Sequence, residues 1–203
     1  MFTGIVEEVG HIESFKEKKN AWELIVKNPF AESDGLEQGA SISVNGCCLT
    51  LCEMASEWMI FELLEETLKK TNIGRLSSQS LVNLERAMPA KGRLGGHFVT
   101  GHIDSTGKVQ VFEEQGKNLY LQVQVPKEKA KYLVDKGSIA VNGCSLTVCD
   151  VMQESFAVWL IPHTLIKTNL SSLKEGESLN LEFDMLAKYV EKLVDPVLEK
   201  LNR

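Results

Sequence analysis

Residues 44–53 read VNGCCLTLCE and residues 141–150 read VNGCSLTVCD, the same pattern 97 positions later. The shift holds outward from there. Thr3-Gly4 falls on Thr100-Gly101, and Pro29 falls on Pro126. SISVNGCCLTLCEM (41–54) meets SIAVNGCSLTVCDV (138–151) with nine of fourteen positions identical. TLKKTN (67–72) meets TLIKTN (164–169), and VNLE (82–85) meets LNLE (179–182). A period sustained along the chain decides the organisation before any local pattern does. The chain divides into two homologous halves, 1–92 and 93–184, and a tail, 185–203. Each half is small for an independent core, so packing against its twin or another subunit is expected.

Each half reads as β. GIVEEVGHIESF, AWELIVKN, ASISVNG, CCLTLCEM, WMIFELL and SLVNLERA are short and rich in β-branched and aromatic residues, with Gly, Asn or Pro between them. The second half answers with HIDSTGKVQVF, LYLQVQV, SIAVNG, CSLTVCDV, FAVWLI and SLNLEF. Asn45-Gly46 and Asn142-Gly143 are hairpin-turn dipeptides. Six strands per half predict a small closed or partly closed barrel. PKEKAKYLVDKG (126–137), with Pro at its start and Gly at its end, predicts one short helix. Its counterpart, 29–39, is more broken. From Asp184, the residues Leu186, Tyr189, Val190, Leu193, Val194, Val197, Leu198 and Leu201 follow helical spacing, with a kink or restart expected at Pro196. This apolar stripe either packs on its own domain or assembles subunits.

Bulk properties exclude several classes. A net charge of −6 argues against a general binder of nucleic acid or anionic membrane. No apolar run approaches the ~20 residues that span a bilayer. The start, MFTGIVEEVG, lacks the pattern of a secretory signal, so a cytoplasmic location is expected. Five cysteines form no even disulfide framework. Cys47 and Cys52 are five apart, as are Cys144 and Cys149, which in a strand leaves each pair ~16 Å apart on opposite faces. These four are expected to be reduced core thiols, and neither pair converges on a metal.

The variation inside the repeat points to chemistry. Cys48 and Thr50 share a strand face, as do their twins Ser145 and Thr147. A polar outer face would explain this, but both halves keep the polar pair while neighbouring apolar residues vary. His97 and His102 in HFVTGHID differ by five and make a poor metal pair. His102 follows Thr100-Gly101, and the glycine is expected to let backbone approach a flat ligand, offering it N–H and C=O groups. His163 aligns with Glu66. Two similar surfaces facing each other could hold two copies of one ligand, while these differences give the copies unequal parts.

MFTGIVEEVG, the paired VNGCCLTLCE and VNGCSLTVCD, GGHFVTGHID, LLEETLKKTN and LIPHTLIKTN together resemble the riboflavin synthase family across the whole chain. The resemblance implies an all-β fold of two six-stranded Greek-key barrels in tandem, with a C-terminal α-helix that helps build a homotrimer. It implies a transferase that dismutates two molecules of 6,7-dimethyl-8-ribityllumazine into riboflavin and a ribitylamino-pyrimidinedione, without metal or organic cofactor. A lumazine synthase is the candidate partner. Carried onto matching positions, ligand contacts in the first barrel are Gly4, Ile5, Val6, Cys48, Leu49, Thr50, Glu62, Leu63, Leu64, Glu65, Glu66 and Thr67. In the second they are Gly101, His102, Ile103, Lys136, Ser145, Leu146, Thr147, Leu160, Ile161, Pro162, His163 and Thr164, and Phe2 closes the site. Cys48 and His102 are expected to supply or activate a nucleophile, and Ser145, Thr147 and Asp184 to move a proton and orient the rings. Two rivals remain: a lumazine-binding antenna protein that binds without turnover, and a flavin-binding reductase barrel. The second would need a nucleotide-binding domain, for which no Gly-rich strand–turn–helix segment is present.

Overall fold

The computed structural model describes residues 1–19, 21–30 and 35–201, with side chains up to Asp195. Among these residues, twelve antiparallel strands close into two barrels. The first takes β1 (Glu8–Glu17), β2 (Trp22–Lys27), β3 (Ser41–Val44), β4 (Cys47–Met54), β5 (Trp58–Leu63) and β6 (Leu81–Arg86) in the order β1-β2-β5-β4-β3-β6. The second takes β7 (Ser105–Gln115), β8 (Asn118–Gln124), β9 (Ser138–Val141), β10 (Cys144–Val151), β11 (Ser155–Leu160) and β12 (Ser178–Phe183) in the corresponding order. Closure leaves neither sheet an edge. Alternation drives it: along β4, Cys47, Leu49 and Leu51 point inward while Cys48 and Thr50 point outward.

The Asn-Gly dipeptides turn as expected. Asn45 and Gly46 have φ of 48° and 81°, Asn142 and Gly143 have 44° and 79°, and two positive φ values make the hairpin turn whose twist suits flanking strands. The two turns touch: a Cβ on Gly46 would lie 2.7 Å from the Gly143 nitrogen.

Around this contact, asparagines from the repeated VNG, KTN and NLE motifs interlock the barrels. Asn83 Nδ2 donates to the Asn142 carbonyl at 2.9 Å, and Asn180 Nδ2 donates to the Asn45 carbonyl at 2.9 Å. The Asn72 amide donates to Asn180 Oδ1 and the Asn169 amide to Asn83 Oδ1, each at 2.6 Å. All six are buried, so each of these bonds is made where losing it would strand a polar group.

Several local expectations change. The helix expected over 126–137 is a 3-10 segment, Lys127–Tyr132, following Pro126. Two short helices, α1 (Glu65–Lys70) and α2 (Pro162–Lys167), end the β5 and β11 ribbons. The tail is one helix, α3 (Met185–Leu201), which continues past Pro196 rather than restarting there. Residues 31–34 of the counterpart loop lie outside the described residues. All five cysteines are free. Cys47 and Cys144 are core residues, but Cys52 and Cys149, five positions on, fall on the outward faces of β4 and β10 and are half-exposed.

Candidate functional site

The segments before each barrel cross to the other one. Phe2 and its repeat twin Val99 pair with each other: the Phe2 N–H donates to the Val99 carbonyl at 2.7 Å, and the Val99 N–H donates back at 3.2 Å. The Ser145 N–H, on β10, then donates to the Gly4 carbonyl at 2.7 Å, and Val6 packs on the second core. In mirror fashion the Cys48 N–H, on β4, donates to the Gly101 carbonyl at 2.9 Å, and Ile103 packs on the first core. The structure therefore groups Gly4, Ile5 and Val6 with Ser145, and Gly101, His102 and Ile103 with Cys48. The grouping expected from order along the chain is reversed.

Buried glutamates hold each crossing. Glu85 Oε1 accepts from the Thr3 amide at 2.6 Å and hydroxyl at 2.8 Å, and its Oε2 accepts from the Gly4 amide at 3.0 Å. Glu182 does the same for Thr100, at 2.6 Å twice, and for Gly101 at 2.9 Å. Burial pushes the Glu85 carboxyl up, against the pull of its three donors. Gly4 and Gly101 adopt φ of +77° and +81°, and an added Cβ would lie 2.6 Å from Ser145 Cβ or 2.5 Å from Cys48 Cβ. Glycine is needed for close approach, as expected, but the object approached is the opposite barrel. Both backbone groups of each glycine are bonded within the protein rather than offered to a ligand.

These crossings build two matched surfaces. On the first, half-buried Cys48 and exposed Thr50 face outward beside the exposed His102 segment, and Ser41 lies opposite Thr50 in the ladder. Exposed Glu62, Leu64, Glu65 and Glu66, with half-buried Thr67, follow on β5 and α1. On the second, half-buried Ser145 and exposed Thr147 face outward, with Ser138 opposite Thr147. Exposed Ile161, Pro162 and His163 and half-buried Thr164 follow on β11 and α2, and exposed Lys136 takes a φ of 64° in the turn before β9. Leu49, Leu63, Leu146 and Leu160 turn their side chains into the cores, leaving only backbone for any outside contact. Phe2 is fully buried with Val99 and Ala140, behind Cys48. A cleft of about 620 Å³ runs past Ile5, Ser41 and Arg86 on the first barrel, and one of about 700 Å³ lies between Ser138, Asp184 and α3 on the second.

The surfaces match in shape and differ in chemistry. His97 Nδ1 lies 2.7 Å from Ser145 Oγ, and His97 is only 8% exposed. Burial pushes its pKa below the ordinary value, while Asp184 and Glu182 pull it back up. It is therefore a neutral imidazole at neutral pH, placed to exchange a proton with Ser145. Its Nε2 is buried without a protein partner. Asp184 also accepts from the Leu186 N–H at 2.9 Å, capping α3. Trp159, 41% exposed, stacks edge-on against Tyr120 with centroids 5.0 Å apart, where the first barrel has Glu62. The first surface has Cys48 instead of Ser145. Burial raises the neighbouring thiols of Cys47 and Cys144 to about 12, so they stay protonated in the cores.

Sequence reasoning weighed His97 only as a metal ligand, and it did not single out Trp159, Ser41, Ser138 or the two glutamates. The repeat contained a signal for four of them, since Ser41/Ser138 and Glu85/Glu182 recur at the shift of 97.

The lumazine binding domain family model matches residues 3–87 and 100–184, in register with the repeat. Riboflavin synthase of Actinobacillus pleuropneumoniae is 42% identical over 194 residues, covering 96% of this chain and 90% of its own. That of Bacillus subtilis is 42% identical over 190 residues (94% and 88% covered), and that of Escherichia coli 40% over 200 residues (98% and 93%). Among solved structures, LumP complexed with riboflavin superposes with a TM-score of 0.83 at 26% identity, over 90% of this chain and 99% of LumP. LumP complexed with 6,7-dimethyl-8-(1'-D-ribityl) lumazine, at 24% identity and a TM-score of 0.80 over the same shares, shows the shared fold. With two lumazine-binding domains and these relatives along nearly its full length, the chain belongs to the riboflavin synthase family.

Proposed function

We propose that this protein dismutates two 6,7-dimethyl-8-ribityllumazine molecules, moving a four-carbon unit from one to the other to give riboflavin and 5-amino-6-ribitylamino-pyrimidinedione. Residues 1–92 and 93–184 each bind one lumazine, and residues 185–203 assemble a homotrimer in which the first barrel of one subunit faces the second barrel of its neighbour. The setting is the cytoplasm. The observation that carries this reading is a pair of surfaces alike in backbone and unlike in reactive groups.

The chemistry divides between them. On the second barrel, neutral His97 acts with Ser145 to take a proton from the acidic 7-methyl group of one lumazine, whose anion is delocalised into the ring. Thr147 and Asp184 orient the ring and the imidazole, and Trp159 offers it an aromatic face. On the first barrel, Cys48 and His102 supply or activate the nucleophile that adds to C7 of the other lumazine. Stacking both rings in register contributes part of the ~7–11 kcal/mol available from proximity and orientation.

Incubation with the lumazine tests this: riboflavin fluorescence should appear, and ligand uptake without it would make the protein a lumazine-binding antenna protein without turnover. The near-full-length identity to riboflavin synthases favours turnover. Assembly is tested separately, by truncating before Leu186 and sedimenting: an unchanged subunit number rules out the helix as assembler.

A further inference from the structure

Asp104 lies two residues beyond His102 on the crossing segment. Its Oδ2 accepts from the Phe183 N–H at 2.9 Å, and its two oxygens lie 2.7 and 3.0 Å from Lys188 Nζ on α3. The pair is sheltered, with side-chain exposures of 15% for Asp104 and 30% for Lys188. The repeat twin of Asp104 is Glu7, which accepts from the Arg86 N–H at 3.0 Å, and Arg86 is the twin of Phe183. In the first half the same residue also supplies the cation: Arg86 Nε and Nη2 lie 2.9 and 3.2 Å from the Glu7 carboxylate. In the second half that position is a buried phenylalanine packed against Tyr132, so the cation must come from elsewhere. It comes from α3, which lies beyond the repeat. Glu191 docks the same helix by accepting from the Tyr132 hydroxyl and pairing with Lys131.

We propose that Lys188 is a positioning residue for the first barrel's pocket: through Asp104 it holds the segment bearing Gly101, His102 and Ile103 against Cys48. Docking of α3 on the second barrel thereby sets the geometry of a pocket on the first. An ordinary surface ion pair would contribute little. This one is bidentate, sheltered, and replaces a guanidinium that the other half builds in.

The structure supplies its own reporter and control. The Cys48 amide is bonded to Gly101, on the Lys188 side, and the Ser145 amide to Gly4, on the Arg86 side. In the full chain, Lys188→Met should speed hydrogen exchange of the Cys48 amide about tenfold and leave the Ser145 amide within about twofold, an effect the size expected for loss of one sheltered charged contact. Lys188→Arg should restore the slow rate, and Glu7→Gln should produce the mirror pattern. For turnover, which rests on the function proposed above, Lys188→Met should lower kcat/KM about fivefold, with loss in kcat as well as a rise in KM because the loosened segment carries His102, and Lys188→Arg should restore both. If wild type forms no riboflavin, that function fails while the exchange result stands. An unchanged Cys48 rate, or equal acceleration of both amides, overturns the proposal.

Discussion

The two pockets share a construction and differ in chemistry. In each, a Thr-Gly crossing is gripped by a buried glutamate and its glycine carbonyl accepts from the opposite barrel's strand. Yet one presents a thiol beside an exposed histidine segment and the other a serine bonded to a buried imidazole. The two halves keep the same backbone contacts and differ in the side chains beside them, an inequality that the proposed reaction between two identical molecules would use.

The joint that both pockets share should be the most sensitive point. Phe2 is fully buried between the halves, so Phe2→Ala should cost about 3–5 kcal/mol in denaturant unfolding, and Val99→Ala less. Equal costs would mean that the joint does not depend on the larger ring.

Next come the unequal side chains. Ser145→Ala or His97→Gln should lower kcat about 10²-fold, the usual loss when a positioned base is removed. Cys48→Ser should lower kcat more than it weakens binding of a non-reactive analogue. If kcat is unchanged, Cys48 is only a contact and the division of labour is wrong.

The glutamates sharpen the crossing itself. Glu85→Gln should cost about 1–3 kcal/mol and weaken ligand uptake on the second barrel, because Gly4 sits there; Glu182→Gln should weaken uptake on the first. Loss on the same barrel would contradict the crossed construction.

The smallest effect is a pH term. His97 has its pKa lowered in the fold, so the unfolded chain binds its proton more readily. Stability should therefore fall as pH drops through the window that opens near the ordinary value of about 6.5 and extends down to the folded value, and be unaffected above it. His97→Gln should flatten this part of the urea midpoint's pH profile. An unchanged profile would mean that His97 is not buried as neutral imidazole.

Much of the architecture was legible. The shift of 97, the Asn-Gly turns and the alternating strands are local patterns, and each half repeated them. The outward pairs Cys48–Thr50 and Ser145–Thr147 followed from period two alone. The six-residue helices α1 and α2 escaped because neither is long enough to display a 3.6-residue period. The crossings were illegible for a different reason: Glu85 meets Thr3 across 82 residues, and nothing in the flanking sequence says which barrel a Thr-Gly segment joins. The repeated asparagines could have marked the joint, since all three recur at the shift of 97.

The central claim is that each barrel, completed by the other half, holds one lumazine. Calorimetric titration of the intact protein with a non-reactive lumazine analogue tests it most directly. Two ligands per chain are predicted, with Glu85→Gln and Glu182→Gln each weakening a different one of them. Saturation at one per chain would contradict the account.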